Sequence, residues 1–213
     1  MSKFTDETIS VSRLVSFSDG VFAIAVTLLV FNLKVPLLPA GEAQALLSGK
    51  ILAMVPNFTT YILSFLLIAV YWTFHHRLLN MVAKMDNLFL WMNIWFLLLV
   101  SFIPFPAALY GSYPHEIFSF VFYLISMILV NIISMLMLGY ASYNSRLVSK
   151  EVSSAMVRYL FFRQFTTMFV FLLSIPIALY QLRLAVYFLF TLFPIHWATK
   201  KYYKRMAQAI QAA

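Results

Sequence analysis

The sequence of 213 residues contains no cysteine, only 5 glycines and few charged residues. Without cysteine there is no disulfide, no cysteine-ligated zinc site and no thiol chemistry. Charged residues make up 10% of the chain and hydrophobic residues 63%, whereas soluble domains contain about 25% charged residues. The polar stretches are too short for a soluble domain, and the alternating pattern of outer-membrane barrel strands is absent. The composition therefore predicts an all-α integral membrane protein.

Six apolar segments predict six transmembrane helices. At 1.5 Å per residue, a segment of about 20 residues spans the hydrocarbon core of about 30 Å. The last segment is short, and the sequence does not define its end because it contains Pro194. We therefore predict one six-helix transmembrane domain over residues 1–213, with spans at 14–33, 52–74, 88–109, 117–140, 160–180 and 184–197.

The net charge of +8 would suggest nucleic-acid binding in a soluble protein. In a membrane protein, basic residues concentrate in the cytoplasmic loops, so the orientation of the spans can account for the charge. With six spans, the basic residues fall mainly on one side. That side receives Lys3, Arg13, Arg77, Lys84, Arg146, Lys150, Arg158, Arg163, Lys200, Lys201, Lys204 and Arg205, and the other receives Lys34, Lys50 and Arg183. The positive-inside rule therefore predicts that both termini are cytoplasmic, and no nucleic-acid partner is expected.

The first apolar run could also belong to a cleaved signal peptide, and a pentapeptide near its start occurs a second time in the chain. A cleaved signal peptide would fit Ala43-Gln44-Ala45 as a cleavage site, but the first apolar run is longer than the roughly 7 to 15 residues of such peptides. The pentapeptide SRLVS occurs at 12–16 and at 145–149, but only the first copy leads into an apolar run. We interpret the second copy as a coincidence and not as an internal repeat.

Asp19 lies within the first apolar segment, where a carboxylate costs at least about 2.5 kcal/mol and is usually partnered. On a helix that turns by about 100° per residue, Ile24 shares one face with Arg13, Phe17, Gly20, Thr27, Leu28 and Phe31. Asp19 lies about 140° from Ile24 and so points away from this face. Its partners are therefore expected on other helices.

Hydrogen-bond donors suited to a carboxylate lie in the second and third segments. The second ends in YWTFHHRLLN and the third begins NLFLWMNIW. Because these groups and Asp19 lie at similar depth, we predict a polar network that ties the first three spans together. For an isolated tryptophan, an interfacial anchor is the ordinary alternative. The candidate partners of Asp19 are Trp72, His75, His76, Arg77, Asn80, Asn87, Trp91, Asn93 and Trp95. The sequence does not decide which of them pairs with Asp19, and those assigned to the predicted network are Trp72, His75, His76, Asn93 and Trp95.

Several kinds of chemistry lack their sequence motifs. His75 and His76 are adjacent and diverge by about 100° on a helix, and no HExxH or HxxxH pair occurs. A glycine-rich phosphate loop and the TVGYG potassium filter are also absent. We therefore predict neither an enzyme nor a metal site nor a bound cofactor. Any ion conduction would have to use side chains on helices.

The motif RxxxFSD, present as Arg13, Phe17, Ser18 and Asp19, resembles the first-helix signature of the transmembrane protein 175 family of potassium channels. The YWxxHHR end of the second span and the SFIPFP end of the third, residues 101–106, also resemble this family. The later spans match only in number and hydrophobicity. With a single six-helix repeat, the chain is similar to the prokaryotic members, which implies a homotetramer in the prokaryotic cell (inner) membrane.

The resemblance also implies a function and its residues. It implies a potassium-permeable cation channel whose pore is lined by the first helices, with K⁺ as the permeant ion. Ile24 would form the hydrophobic constriction, Leu28 and Phe31 would follow it outward, and Thr27 would favour potassium. The RxxxFSD residues would form the structural network, off the pore. The alternative is a secondary or proton-coupled ion transporter, although such proteins often show inverted repeats and several ionisable residues at mid-membrane.

Overall fold

The structure is a computed structural model that describes residues 10–149 and 151–211, except for the side chains of residues 204 and 206–211. Lys3, Lys150 and the Lys204 side chain of the predicted basic side lie outside the described residues. Six helical segments are long and apolar enough to cross a membrane, which confirms the predicted fold class. These spans are Val11–Asn32, Val55–Met81, Asn87–Ser112, Ile117–Ser145, Ser154–Tyr180 and Leu182–Tyr203.

The described part of the chain contains nine α-helices, of which all but the second belong to the six spans. Short 3-10 turns, Leu29–Asn32 and Tyr143–Ser145, extend the first and the sixth of these helices. The helices are α1 Val11–Leu28, α2 Ala43–Ala53, α3 Val55–Met81, α4 Asn87–Phe102, α5 Pro104–Ser112, α6 Ile117–Ser142, α7 Ser154–Tyr180, α8 Leu182–Phe190 and α9 Leu192–Gln211.

Three helices begin at side-chain caps that the sequence supplies. Ser10, Asp86 and Ser153 each accept a hydrogen bond from a backbone N–H in the first turn, at 3.4, 2.9 and 3.3 Å, respectively. Such caps satisfy one of the four amide groups that have no partner at a helix start. They place the starts of α1, α4 and α7 at Val11, Asn87 and Ser154.

The helices differ from the predicted spans mainly at their ends. The second span continues to Met81 and not to residue 74, and α2 precedes it in a loop for which no helix was predicted. The last span continues past residue 197 and is divided at Thr191 into α8 and α9. Pro194 lies in the first turn of α9, where the missing N–H of proline costs nothing. It therefore marks a helix start and not the end of the span.

A break at Ile103 divides the third span into α4 and α5. Pro104 begins α5, and proline cannot donate the backbone hydrogen bond that would continue α4. At the end of α1, Asn32 Nδ2 donates to the carbonyl of Pro104 at 3.3 Å. The end of the first span is therefore bound to the break in the third.

The core of the bundle lies between α3, α4, α6 and α7. α6 packs against both α4 and α7, and α3 packs against α5. Two fully buried tyrosines satisfy their hydroxyls here: Tyr123 shares a 3.0 Å hydrogen bond with Ser64, and Tyr71 donates to the carbonyl of Met127 at 2.8 Å. Because unpaired polar groups are costly inside a membrane, these bonds allow tyrosine to fill the core.

The loops at one end of the bundle are joined by backbone pairing. Val82 and Val148 form an isolated antiparallel bridge, and the N–H of Ala83 donates to the carbonyl of Leu147 at 2.9 Å. The second SRLVS copy thus pairs with the chain that follows α3, whereas the first copy is helical. The α3–α4 connection is in this way held against the α6–α7 connection.

Candidate functional site

The first helix has one face packed into the bundle. Five residues, spaced three or four apart, are at most 3% exposed and face α3 and α4, against which α1 packs. This spacing is that of one helical stripe. The buried residues are Leu14, Ser18, Phe22, Ala25 and Leu29.

The opposite face of the first span is exposed in the single subunit. Ile24 is 61% exposed, Leu28 42% and Phe31 74%. Phe17 precedes them on the same face and is 58% exposed. The three residues from Ile24 to Phe31 follow the helix axis over about 10 Å. This set of Phe17, Ile24, Leu28 and Phe31, called the α1 stripe below, is apolar and has no packing partner among the described residues.

Thr27 is exposed beside the α1 stripe. Its hydroxyl donates to the carbonyl of Ile24 at 2.9 Å. A hydroxyl oxygen that donates its proton to the helix backbone keeps both lone pairs as acceptors. The oxygen of Thr27 is therefore available to contact a cation on this side of the helix.

A chain of hydrogen bonds connects the first three spans on the packed side of α1. His75 Nε2 lies 2.6 Å from Asn93 Oδ1 and must donate, because the amide oxygen can only accept. Asn93 Nδ2 donates to Ser18 Oγ at 3.2 Å, and Ser18 donates to the carbonyl of Leu14 at 2.8 Å. His75, Asn93 and Ser18 are at most 1% exposed. We call these three residues the buried relay.

Aromatic rings enclose the buried relay. The His75 ring is parallel to Phe96, with 5.1 Å between centroids and 2° between planes. Phe22 of α1 contacts both rings, at 5.5 Å from His75 and 5.9 Å from Phe96. These contacts fix the imidazole orientation and exclude water from the hydrogen bonds, which strengthens them.

Asp19 makes a separate contact. Its Oδ1 accepts a hydrogen bond from Trp72 Nε1 at 2.8 Å, and it is only partly buried. The Trp72 ring stacks on His76 at 5.5 Å, and His76 shares a 3.0 Å hydrogen bond with Asn80. The aspartate thus has one partner, on α3, whereas the fully buried polar groups belong to Ser18, its neighbour in sequence.

Three residues of the predicted network lie outside both sets. Arg13, Phe17 and Trp95 are exposed, and in the described part of the chain no side-chain hydrogen bond joins them to Asp19 or to the buried relay. Trp95 is 56% exposed on the outer side of α4. The arrangement therefore brings together Ser18, Asp19, Trp72, His75, His76 and Asn93 of the nine network residues.

Sequence reasoning missed a second polar group between α6 and α7. Asn131 Nδ2 donates to Gln164 Oε1 at 3.4 Å, and Gln164 Nε2 donates to Ser134 Oγ. One turn along α7, Thr167 and His196 share a 3.0 Å hydrogen bond. Polar residues at helical spacing within the apolar fourth and fifth spans could have indicated this group. The family resemblance did not include these two spans, so the residues were not singled out. Across the described residues, no cluster of His, Asp or Glu could hold a metal ion.

Asp86, between α3 and α4, lies in a cluster of hydrogen bonds and an ion pair outside the spans. Although partial burial opposes ionisation, hydrogen bonds from the Tyr140 hydroxyl and the Phe89 N–H, together with Arg146, hold the pKa of Asp86 below its ordinary value. Arg146 Nη2 lies 3.5 Å from the carboxylate of Asp86. The Cζ atom of the same arginine lies 4.5 Å from the centre of the Tyr140 ring. This cluster fastens the start of α4 to the end of α6.

Comparison with known proteins finds one family model that matches the part of the chain containing these features. The family model described as "Endosomal/lysosomal potassium channel TMEM175" matches residues 13–104. This segment contains the α1 stripe, the buried relay and Asp19. A crystal structure of a lysosomal potassium-selective channel TMEM175 homologue from Chamaesiphon minutus matches 91% of this chain and 97% of its own, with a TM-score of 0.75 and 26% identity.

Curated relatives match parts of the chain of different length. A protein from Chamaesiphon minutus named a potassium channel is 45% identical over 101 residues, and one from Streptomyces collinus is 40% identical over 106 residues. Each match covers about half of this chain and 49% of the relative, so the chain aligns with about half the length of these relatives. The human endosomal/lysosomal proton channel TMEM175 is 24% identical over 71% of this chain and 30% of its own length.

Proposed function

We propose that the chain is a member of the TMEM175 family of ion channels and that it forms a potassium-permeable channel in a prokaryotic cell membrane. Four copies would surround one pore, with α1 of each copy lining it and both termini on the cytoplasmic side. Two relatives named potassium channels are 45% and 40% identical to about half of this chain, and the family model matches residues 13–104, which include most of α1.

The observation that carries this proposal is the contrast between the two faces of α1. One face is at most 3% exposed against α3 and α4, whereas the α1 stripe is 42–74% exposed. A stripe of this kind could face lipid, but Arg13 precedes it on the same face and Thr27 lies beside it, and both residues are exposed. Polar groups on a face that also bears bulky apolar residues favour a water-containing axis over lipid contact.

Ile24 is proposed as the constriction of this pore. An apolar ring offers a hydrated cation no replacement for its water shell, so it closes the path by dewetting. Thr27, one turn further along α1, would present a ring of four hydroxyl oxygens, since each donates its own proton to the backbone. Leu28 and Phe31 would continue the apolar lining outward.

The buried relay supports the pore by fixing how α1 is rotated. Ser18 is buried and lies about 100° from Phe17 and about 120° from Ile24 around α1, so its bond to Asn93 holds the exposed α1 stripe toward the axis. The contact between Asp19 and Trp72 adds a second attachment, to α3. Rotation of α1 by one residue, about 100°, would break both attachments and remove Ile24 from the axis.

Single-channel recording of purified protein in planar bilayers tests the proposal. With potassium and sodium on opposite sides, Ile24→Asn is expected to give larger and less selective currents, because a polar side chain holds water at the constriction. Thr27→Ala is expected to shift the reversal potential toward that of an unselective pore. The matched control is Ile125→Asn, which changes an isoleucine on α6 that is 46% exposed.

Three outcomes would contradict parts of this proposal. Equal currents from the parent, Ile24→Asn and Ile24→Ala would show that the α1 stripe is not the narrow part of the pore. A similar rise for Ile125→Asn would show a general effect of polar substitution. Flux without unitary current steps, and coupled to a pH gradient, would favour the proton-coupled transporter, and native mass spectrometry checks for four subunits.

A further inference from the structure

A surface pocket lies at the end of the bundle where basic residues are concentrated. It has a volume of about 400 Å³ and is formed where α3 ends, α7 begins and α9 passes between them. α1 packs mainly against α3 and α4, so this pocket is separate from the α1 stripe. Its polar lining consists of Arg77, Ser153, Tyr159, Lys200 and Tyr203.

The pocket carries two positive charges and no negative one. Arg77 and Lys200 line it, and neither forms an ion pair with a carboxylate among residues 10–149 and 151–211. Glu151, two residues before Ser153, is exposed and is likewise unpaired within these residues. Two cations that face one cavity repel each other unless an anion joins them. The lining is therefore complementary to an anionic group.

Hydroxyl groups add hydrogen-bond donors to the same space. Arg77 Nη1 donates to the hydroxyl oxygen of Tyr159 at 3.3 Å, and the guanidinium lies 5.7 Å from the centre of its ring. In the described structure this hydroxyl donates its own proton to no acceptor, so it can donate to a ligand. The rings of Tyr159 and Tyr203 pack at 4.9 Å and fix this wall of the pocket.

Two features behind the lining increase the positive potential. The first turn of α7, a helix of 27 residues, borders the pocket at Ala155, and its free amides make a helix start positive. Arg163, one turn deeper on α7, is 6% exposed and interacts with Tyr159 and Arg77. Its Nε has no hydrogen-bond partner in the described residues. A buried guanidinium nitrogen without a partner in the described residues, one turn from Tyr159 of this lining, is a second observation that favours an anionic ligand.

We propose that this pocket binds the phosphate group of an anionic phospholipid of the phosphatidylglycerol type. Phosphate accepts bonds from arginine, lysine, hydroxyls and helix amides. A lipid source is favoured over free phosphate because Phe162, 47% exposed, packs against Tyr203 at 6.5 Å, and Phe165, 60% exposed, follows it along α7. An acyl chain can lie on this apolar surface while its headgroup occupies the pocket, as at basic pockets between membrane helices.

Native mass spectrometry of the full-length protein in detergent, titrated with lipids, tests this site. Phosphatidylglycerol is expected to bind more tightly than phosphatidylcholine. Lys200→Gln, which alters an exposed side chain and leaves the core intact, is expected to weaken phosphatidylglycerol binding about fivefold, from roughly 1 kcal/mol per basic residue near the lipid headgroups. Arg77→Gln is expected to weaken it at least as much. The matched control is Arg158→Gln, an exposed cation on α7 that does not line the pocket.

The control variant, the soluble competitors and the two site variants each distinguish a different explanation of lipid binding. An equal loss in Arg158→Gln would mean general attraction to a basic surface and would overturn the site. Inorganic phosphate or glycerol phosphate that competes as well as the lipid would place a soluble anion here and overturn the lipid source. Unchanged phosphatidylglycerol binding by Lys200→Gln and Arg77→Gln would also overturn the proposed site. Loss of lipid preference in these two variants alone supports the proposal.

Discussion

The hydrogen bond between His75 and Asn93 can be tested by a double-mutant cycle. Asn93→Leu removes the only hydrogen-bond partner that Nε2 of His75 has in the described residues, while Ser18 keeps its bond to the carbonyl of Leu14. His75→Phe removes the other half of the pair. The double variant replaces both partners by apolar side chains, and the new phenyl ring can stack on Phe96 as the imidazole does.

The expected magnitudes follow from burial. Leaving one buried polar group without its partner costs about 1 to 3 kcal/mol, whereas replacing both partners is nearly neutral. Cycles within membrane proteins measure smaller couplings, about 0.6 kcal/mol on average and about 1.7 at most. Because this pair is 2.6 Å apart and both residues are at most 1% exposed, we expect a coupling near the upper value.

The assay is reversible unfolding by sodium dodecyl sulfate in mixed micelles, followed by far-ultraviolet circular dichroism. Each single variant should lower the free energy of unfolding, and the double variant should lower it by less than the sum. As a control, Asn93→Leu is combined with Ser174→Ala, whose hydroxyl bonds only to its own helix, at the carbonyl of Val170. These distant changes should be additive.

Additive costs for His75 and Asn93 would refute the reasoning. They would mean that the two side chains do not depend on each other for burial, and that the orientation of α1 is set by apolar packing alone. If the coupling is found, potassium currents of the single variants should fall together with the amount of assembled protein. Their ion preference should remain that of the parent, because neither side chain lies on the α1 stripe.

Two further predictions concern topology and pH. Cysteines introduced at Ser2 and Ala213 of this cysteine-free chain should be shielded from an impermeant thiol reagent in intact cells, and labelling of either from outside would contradict the six-span orientation. The free energy of unfolding should fall as the pH drops below about 4, because the pKa of Asp86 is lowered in the folded state and its contribution is lost on protonation. Asp86→Asn should remove this pH dependence, and an unchanged acid profile would show that Tyr140 and Arg146 do not stabilise the carboxylate.

The sequence predicted six spans because a long apolar run in a bilayer must satisfy its own backbone hydrogen bonds, and an α-helix does so. It also placed Asp19 away from Ile24, since helical periodicity alone fixes that angle. It did not reveal that Ser18 is the buried member and Asp19 the partly buried one. That difference depends on how α3 and α4 approach α1, which is a tertiary property that local pattern does not contain.

Other features could not be predicted because the same short sequence or residue type can adopt different structures at different places in the chain. The string SRLVS is helical at 12–16, where Ser10 caps it and an apolar run follows. At 145–149 it pairs with the chain after α3. Pro194 has a similar ambiguity, since proline fits both a helix end and a first turn. The pocket between α3, α7 and α9 joins residues more than 100 positions apart and has no motif.

The exposed α1 stripe has a consequence for how the protein is made. In water such a face would force immediate association or aggregation, but in a bilayer the hydrocarbon chains solvate isoleucine, leucine and phenylalanine as well as another protein surface does. For the proposed tetramer, a newly inserted subunit would therefore be stable in the bilayer before it meets the others. Assembly would then depend on the concentration of subunits in the plane of the membrane. The number of complexes in a cell would consequently rise more steeply than the number of chains synthesised.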